Sequence, residues 1–185
     1  SNRSYVIDTD VNSCYSEALR SQLPYKNYTY LRKREIQDFD LTEMCSTPNV
    51  AYLIRCDLEY TPSVQLNTIA FPLMPLKVTI DESMLSEYQL GIMGEKNFNY
   101  SNIVRLLCCA VNRKDYVVYS PLLDFYIKLG VRVLNITEIL ECQTSDYLAS
   151  FVNKNLILRE SADNEFECKI LKAGNTLVAG KMAPN

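Results

Sequence analysis

The sequence of 185 residues contains no histidine, and none of its seven cysteines belongs to a C-x-x-C pair. Structural zinc sites are built from closely spaced cysteines and histidines, so this pattern argues against a zinc centre. An odd set of cysteines without paired spacing is typical of reduced thiols in an intracellular protein. We therefore expect buried free thiols and a cytoplasmic or nuclear location.

Long apolar runs are also absent. The best candidate, residues 103–111, contains Arg105 and is shorter than the roughly 18 residues that a membrane span requires. The first residues do not show a charged segment followed by an apolar one, as a secretory signal would. We predict neither membrane insertion nor secretion.

The chain lacks an excess of positive charge, because its formal net charge is -3. A protein that binds nucleic acid over its whole surface needs clustered lysine and arginine to neutralise phosphates. Any contact with nucleic acid must therefore be local. The basic cluster at residues 32–34 is followed by acidic residues at 35, 38, 40 and 43, which predicts a solvated loop of mixed charge.

The residues that are present predict a folded domain of the α+β class. Hydrophobic residues make up 48% and charged residues 22%, as in ordinary globular proteins. Residues 50–60 alternate between apolar and polar side chains, which predicts a strand with one buried face. The other patterns predict strands at 4–9, 76–80, 115–119 and 131–140, and helices at 12–23, 82–93, 101–111, 120–130 and about 155–179.

The stretch YVIDTDVNSCYSEAL, residues 5–19, places Asp8 and Asp10 at the end of a predicted strand, directly before a predicted helix. Residues two apart on a strand share a face, and paired carboxylates are suitable ligands for Mg²⁺. The free N–H groups at the start of a helix can hold a phosphate, so the stretch could serve phosphoryl transfer. On these residues alone, a simple helix cap by Asp10 with a solvated Asp8 is the more common arrangement.

The segment DVNSCYSEALRSQLPY, residues 10–25, resembles motif A of the protein-primed B-family DNA polymerases. Further segments resemble the same family in the same order, and the similarity is greatest to polymerases of Maverick or Polinton elements. It extends over nearly all of residues 5–185. The other segments are CDLEY, PLMPLKVTIDESMLSEYQ, the stretch 113–155, and FECKILKAGNTLVAGKMAPN, which contains the equivalent of motif B.

The resemblance implies a partial polymerase palm with an antiparallel sheet, an insertion and fingers helices. Residues 1–60 would form the palm segment with motif A. Residues 61–143 would form the insertion, which in relatives contacts DNA and the primer protein. Residues 144–185 would form the fingers helices with motif B.

The resemblance also implies roles for individual residues. Asp10 and the carbonyl of Val11 would bind catalytic Mg²⁺, and Tyr15 would lie under the deoxyribose of the incoming dNTP and exclude a ribose. Asp10 and Tyr15 are therefore the predicted catalytic residues. Lys172 would contact the triphosphate, and Arg159 would serve the same anion. The complete set predicted to bind the nucleotide is Asn12, Ser13, Cys14, Tyr15, Arg159 and Lys172.

The sequence departs from the family in motif B and beyond it. Thr176 stands where the family has a functional Asn, and Ala179 stands where the family has an aromatic ring that stacks on the nascent base pair. The carboxylates of motif C have no counterpart after motif B in these residues, although two-metal catalysis needs a second carboxylate. We therefore expect that this chain does not polymerise DNA by itself.

Two functions remain open at this point. The first is the palm and fingers portion of such a polymerase, which binds Mg²⁺, dNTP and DNA and meets the remainder of the enzyme on its open side. The second is a catalytically inactive descendant of such a polymerase that retains the fold as a scaffold or interaction module. In that function a protein partner covers the side that the remainder of the polymerase would otherwise contact.

Overall fold

A computed structural model describes residues 14–80, 82–95 and 104–182. The described chain belongs to the α+β class, as the sequence predicts. Its strands are β1 (Leu23–Tyr30), β2 (Val50–Glu59), β3 (Leu76–Thr79), β4 (Val104–Leu107), β5 (Arg113–Tyr119) and β6 (Arg132–Ser145). Its helices are α1 (Cys14–Leu19), α2 (Lys33–Gln37), α3 (Pro62–Asn67), α4 (Glu87–Glu95), α5 (Ser120–Lys128), α6 (Ala149–Glu160) and α7 (Glu165–Met182).

The described chain divides into two compact units. The first contains residues 14–29, 46–51 and 141–182, and the second contains 30–45, 52–80, 82–95 and 104–140. Strands β1, β2 and β6 contribute residues to both units. Helices α1, α6 and α7 belong to the first unit, and helices α2 to α5 belong to the second. The predicted boundaries at residues 60 and 143 stay predictions.

Strands β1, β6, β2 and β5 form a sheet in that order, and β3 and β4 form a separate pair. Strands β2 and β5 run antiparallel, with Ile54 opposite Val118. Strand β6 also runs antiparallel to β2, because Thr137 donates to the carbonyl of Arg55 while the later residue Cys142 donates to the earlier Ala51. Strand β2 is therefore antiparallel to both of its neighbours, β5 and β6.

The core of the second unit lies on one face of β2. Ile54, Cys56 and Leu58 are fully buried, and Tyr60 just after the strand is 3% exposed. These positions confirm the alternation predicted for residues 50–60 from residue 54 onwards. Side chains from the other elements complete this core, among them Val64, Met74, Val118, Leu123, Tyr126 and Ile139.

Helix α5 confirms the helix predicted at 120–130, but Ser120, which the Ser-Pro sequence predicts as the N-cap, is its first residue, and Tyr119 occupies the cap position without a side-chain capping hydrogen bond. Ser120 and Pro121 begin the helix, and Gly130 follows its end with φ of +101°, a conformation that favours glycine. The hydroxyl of Ser120 is buried and accepts the N–H of Tyr52 at 3.0 Å. This hydrogen bond therefore connects the start of α5 to β2 at Tyr52.

The helix predicted at 101–111 is wrong within the described residues. Val104–Leu107 is strand β4, which pairs antiparallel with β3 so that Leu76 lies opposite Leu107. The periodicity of a short apolar run does not distinguish a buried helix from a strand. Here the pairing with β3 makes the run a strand. The strand predicted at 4–9 lies outside the described residues.

The long helix predicted at 155–179 is two helices, because side chains at residues 161–164 satisfy the backbone where the first one ends. The hydroxyl of Ser161 donates to the carbonyl of Ile157, and Asn164 accepts the N–H of Glu167 at 2.9 Å. Such local hydrogen bonds compete with a continuous helix. They create the turn between α6 and α7.

The first predicted helix is also shorter than expected. Helix α1 ends at Leu19, whereas the prediction extends it to residue 23. Residues 20–22 instead lead into β1, which contains Pro24. Proline is tolerated on an edge strand because it needs no ladder donor there. The predicted loop at 32–34 instead begins the short helix α2, in which the Glu35 carboxylate accepts the N–H of Arg32.

All seven cysteines are free thiols. The expectation that they are buried holds for Cys56 and Cys142, whereas Cys14, Cys45 and Cys108 are exposed. Burial raises the pKa of the Cys56 thiol from 9.0 to about 12. Within the described residues, no helix is both long enough and apolar enough to cross a bilayer.

A buried arginine holds together the loops of the second unit. The side chain of Arg113 is 3% exposed and forms no ion pair with any described residue. Its Nε donates to the carbonyl of Met74 at 2.8 Å, its Nη1 to Val111 at 2.6 Å, and its Nη2 to Cys109 at 2.8 Å. Three separate backbone positions therefore depend on one guanidinium.

We expect Arg113→Met to lower the free energy of unfolding by about 3 kcal/mol, because it leaves several carbonyls without a donor. Chemical denaturation followed by circular dichroism measures this loss. Lys114→Met, at the exposed neighbouring position, is the control, with an expected change below about 0.5 kcal/mol. A loss for Arg113→Met as small as that of the control would contradict the structural role of the guanidinium.

We expect Cys56 to resist a thiol reagent at pH 8 in the folded protein, because burial keeps it protonated and out of contact with solvent. The exposed Cys14, Cys45 and Cys108 should react first. Peptide mass spectrometry after brief alkylation identifies the modified positions, and the unfolded protein provides the fully reactive control. Modification of Cys56 at the rate of Cys108 would show that the β2 core is open.

Candidate functional site

Helices α1, α6 and α7 pack against one another in the first unit. Helices α6 and α7 run antiparallel, because Asn155 bonds to Asn175, whereas the later Arg159 accepts through its carbonyl from the earlier Cys168. Helix α1 contacts both of them. The three helices contain Cys14, Tyr15, Arg159 and Lys172 of the predicted nucleotide-binding set. We call them the three-helix cluster.

A buried amide connects these helices. Asn175 is 4% exposed, and its Oδ1 accepts from Asn155 Nδ2 at 2.9 Å. Its Nδ2 donates to the hydroxyl of Ser16, also buried, at 3.0 Å. Buried polar groups are costly without partners, and here the amide finds one on each neighbouring helix. The Ser16–Asn175–Asn155 network therefore fixes α1 against the α6–α7 hairpin.

Tyr15 lies next to the buried Ser16 on α1, and its side chain is 62% exposed. Cys14 is exposed as well. The ring of Tyr15 therefore projects from the surface while its neighbour is hydrogen bonded to α7. A ligand that touches this ring would meet a helix whose position is set by Asn175.

Arg159 and Lys172 occupy corresponding stretches of the hairpin. Arg159 is half-buried and shares a face of α6 with Val152 and Asn155, since the three are spaced by three and four residues. Lys172 is exposed and precedes Asn175 by three residues, which is a rise of about 4.5 Å along the helix. Both residues therefore lie within about one helical turn of the Asn155–Asn175 contact along their helices, on the side towards the turn between the helices.

These two cations lack a carboxylate partner among the described residues, because neither takes part in an ion pair there. Lys169, which is on α7 like Lys172, does form an ion pair, since its Nζ lies 2.8 Å from a carboxylate oxygen of Glu165. An uncompensated lysine and arginine on facing helices are suited to an anion such as a phosphate. Tyr15, Arg159 and Lys172 thus fall within one cluster of helices.

The remaining predicted site residues lie outside the described residues. These are Asp10 and Val11, predicted to bind Mg²⁺, and Asn12 and Ser13, predicted to line the nucleotide pocket. In the part of the chain that the structure describes, no group of three or more acidic or cysteine side chains could hold a metal ion. The metal site stays a prediction.

Asn175 is the residue of this cluster that the motifs do not predict. The comparison with motif B put Thr176 at the position of the functional Asn, but the Thr176 side chain is exposed and bonds to the carbonyl of Lys172 within α7. Asn175 is buried one residue earlier. Its place in line with Cys168, Leu171 and Val178, at helical spacing, is the signal that could have identified it.

The second unit contains an open groove of about 350 Å³. Its lining includes Ile36, Phe39, Leu41, Val133, Leu134 and Ile136. Neither a titratable side chain nor any of the predicted site residues is present in this lining. The groove therefore offers no reactive group, and the three-helix cluster is the better candidate site.

Comparison of the chain with protein-family models, with curated proteins and with solved structures gives no match. The support for a function therefore comes from the site and from the motifs.

We expect Ser16→Ala and Asn175→Ala to be coupled, because each substitution removes the same hydrogen bond from a buried position. The two losses in free energy of unfolding should differ from additivity by about 1 kcal/mol in a double-mutant cycle. Thr176→Ala, at the exposed neighbouring position, is the control for helix propensity and should combine additively with Ser16→Ala. Additive losses for Ser16 and Asn175 would show that the bond does not hold α1 in place.

Proposed function

We propose that this chain is the palm and fingers portion of a protein-primed B-family DNA polymerase, which binds a dNTP with Mg²⁺ and contacts DNA. In this function Asp10 and the carbonyl of Val11 hold the metal. Tyr15 lies under the sugar, and Arg159 and Lys172 bind the triphosphate. The protein acts in the cytoplasm or the nucleus.

The observation that supports this proposal best is the hydrogen bond between Ser16 and Asn175. The implied roles require the helix after motif A and the helix of motif B to share one nucleotide. Sequence similarity between separate segments does not require those helices to meet, yet α1 and α7 are packed and bonded to each other. Tyr15 and Lys172 are each within three residues of this bond.

The electrostatics of the hairpin favour the same function. A triphosphate carries several negative charges, and neither Arg159 on α6 nor Lys172 on α7 forms an ion pair with a described carboxylate. The chain as a whole is acidic, with net charge -3, so this local pair is not part of a general basic surface. A local cation pair is consistent with a small anionic ligand.

A second function, an inactive scaffold or interaction module, is favoured by a different surface of α7. Phe166, Ile170 and Leu177 are 74%, 54% and 65% exposed. Together with the exposed Ala173 they are spaced by four, three and four residues, the pattern of a helix face that packs on another helix. This stripe lies on the side of α7 opposite Asn175, so a partner helix could cover it without displacing α1 or α6.

A thermal shift experiment distinguishes the two functions. Mg²⁺ with dNTP at about 100 times its dissociation constant should stabilise the folded protein by about 2.7 kcal/mol, or about 5 to 10 °C in Tm. We expect Asp10→Ala to abolish the metal-dependent part of this shift and Lys172→Gln to reduce the whole shift. Lys169→Gln is the matched control, because that lysine is paired with Glu165.

The absence of a shift in the wild-type protein would contradict nucleotide binding and favour the scaffold. A shift that is equal in the wild type, Asp10→Ala and Lys172→Gln would show that the nucleotide binds elsewhere. A shift that Lys169→Gln reduces as much as Lys172→Gln does would indicate a general effect of charge.

A further inference from the structure

The outer face of α7 carries a row of apolar residues that is exposed in the described chain. Phe166, Ile170, Ala173 and Leu177 are spaced by four, three and four residues. Gly180, also exposed, continues the spacing by a further three, and the space beside its Cα is open. Alternating steps of four and three are the heptad pattern of helices that pack along a common seam. We call these five residues the α7 stripe.

The opposite face of α7 is packed. Asn175 is 4% exposed and is bonded to both α1 and α6. Leu171 and Val178 are half-buried on the same side. The helix therefore has two apolar faces, of which the described chain covers only one. A continuous apolar row on an otherwise well-packed helix is typical of a surface that is buried in an assembly.

The free charges of α7 are separated towards its two ends. Asp163 in the preceding turn and Glu167 in the first turn lie at the N-terminal end, and Lys181 lies in the last turn. None of these three forms an ion pair with a described residue, whereas Glu165 is paired with Lys169. Two such helices attract each other at both ends when they run in opposite directions, and repel when they run in the same direction.

An antiparallel pair of α7 helices from two copies of the chain also matches the stripe by size. In the register that places Phe166 opposite Leu177 of the second copy, the next layer places Ile170 opposite Ala173. Two-fold symmetry repeats both layers, so each small alanine faces an isoleucine. In a parallel pair each residue would face its own copy, which would bring the two alanines together and leave a gap between the helices.

The same register brings the opposite charges together. Three residues before Phe166, Asp163 lies opposite Gly180 of the second copy and therefore beside its Lys181. Within one chain, Asp163 and Lys181 are separated by about 27 Å, at about 1.5 Å per residue, and cannot form a pair. The symmetry gives two of these contacts in each dimer.

We propose that two copies of this chain associate through the α7 stripe as an antiparallel helix pair with two-fold symmetry. A second copy fits better than an unrelated protein, because this one surface supplies both the large and the small layers and both signs of charge. A membrane surface fits less well, because helices that lie on membranes carry a polar face rich in lysine and arginine, and α7 also carries free carboxylates.

The dimer is weak and leaves the candidate site intact. The stripe covers about three helical turns, less than the seam of a stable interface, so the dissociation constant is on the order of 10 to 100 µM. The stripe lies opposite Asn175, so α1 and α6 keep their contacts with α7. The inference goes beyond both functions proposed above and requires neither metal nor nucleotide.

Sedimentation equilibrium of the whole chain over about 5 to 500 µM tests for a species of twice the monomer mass of 21.2 kDa. Ile170→Lys and Leu177→Lys should each raise the dissociation constant at least about tenfold, because the seam offers the ammonium no partner. Ile69→Lys, at a position 76% exposed in the second unit, is the matched control and should leave the constant unchanged. Circular dichroism checks that each variant is folded.

Reversal of charges tests the direction of the helices. Asp163→Lys and Lys181→Glu should each raise the dissociation constant about threefold at low salt, because each creates two contacts between like charges. The variant with both substitutions exchanges the two signs and keeps the net charge of -3. It should associate like the wild type.

A chain that stays monomeric over the whole concentration range would overturn the proposal. So would a dimer that Ile170→Lys leaves intact, or one that Ile69→Lys weakens as much. A double charge reversal that associates no better than the single variants would overturn the antiparallel register. Since the assay contains neither Mg²⁺ nor dNTP, its outcome is separate from that of the nucleotide experiment.

Discussion

The guanidinium of Arg113 is the interaction on which the second unit depends. It is buried without a described carboxylate, and its charge is distributed over backbone carbonyls of residues 74, 109 and 111. Met74 is itself in the left-handed conformation, with φ of +54°, which an unsupported methionine would rarely adopt. The arginine therefore supports a strained loop that also places Met74 in the core. Met74 in turn belongs to the core that covers the apolar face of β2.

The first unit uses the same principle with an uncharged group. Asn175 is surrounded by helices that offer little apolar area, since α6 contains one buried side chain, Val152, and α1 contributes Ser16 and Leu19. Helices that bury so little need a specific contact to fix their relative position. A buried amide with a partner on each side both stabilises the packing and fixes the orientation of the helices, because a displaced helix would leave the amide without a hydrogen-bond partner. Specificity at the three-helix cluster thus depends on polar contacts.

The features that the sequence predicts correctly are those whose cause is local. The alternation in β2 and the Ser-Pro start of α5 can be inferred from neighbouring residues alone. Strand β4 could not be inferred, because its state depends on the pairing of Val104–Leu107 with a segment about 30 residues earlier. The role of Asn175 could not be inferred for the same reason, since its partner Ser16 is 159 residues away in the sequence. Of the candidate site, the motifs predict Tyr15, Arg159 and Lys172, but they do not predict the Asn175 amide that joins the helices carrying them.

Under the proposed function, the substitution at residue 179 changes what the site can recognise. Ala179 is half-buried on the packed side of α7, one turn after Asn175, where the family carries an aromatic ring. A small side chain at that point lets neighbouring helices approach, but it removes a stacking surface for the base. The remaining contacts, from Tyr15 to the sugar and from two cations to the phosphates, are common to all four dNTPs. Binding by this cluster is therefore determined by sugar and triphosphate, and selection of the base must come from a template strand.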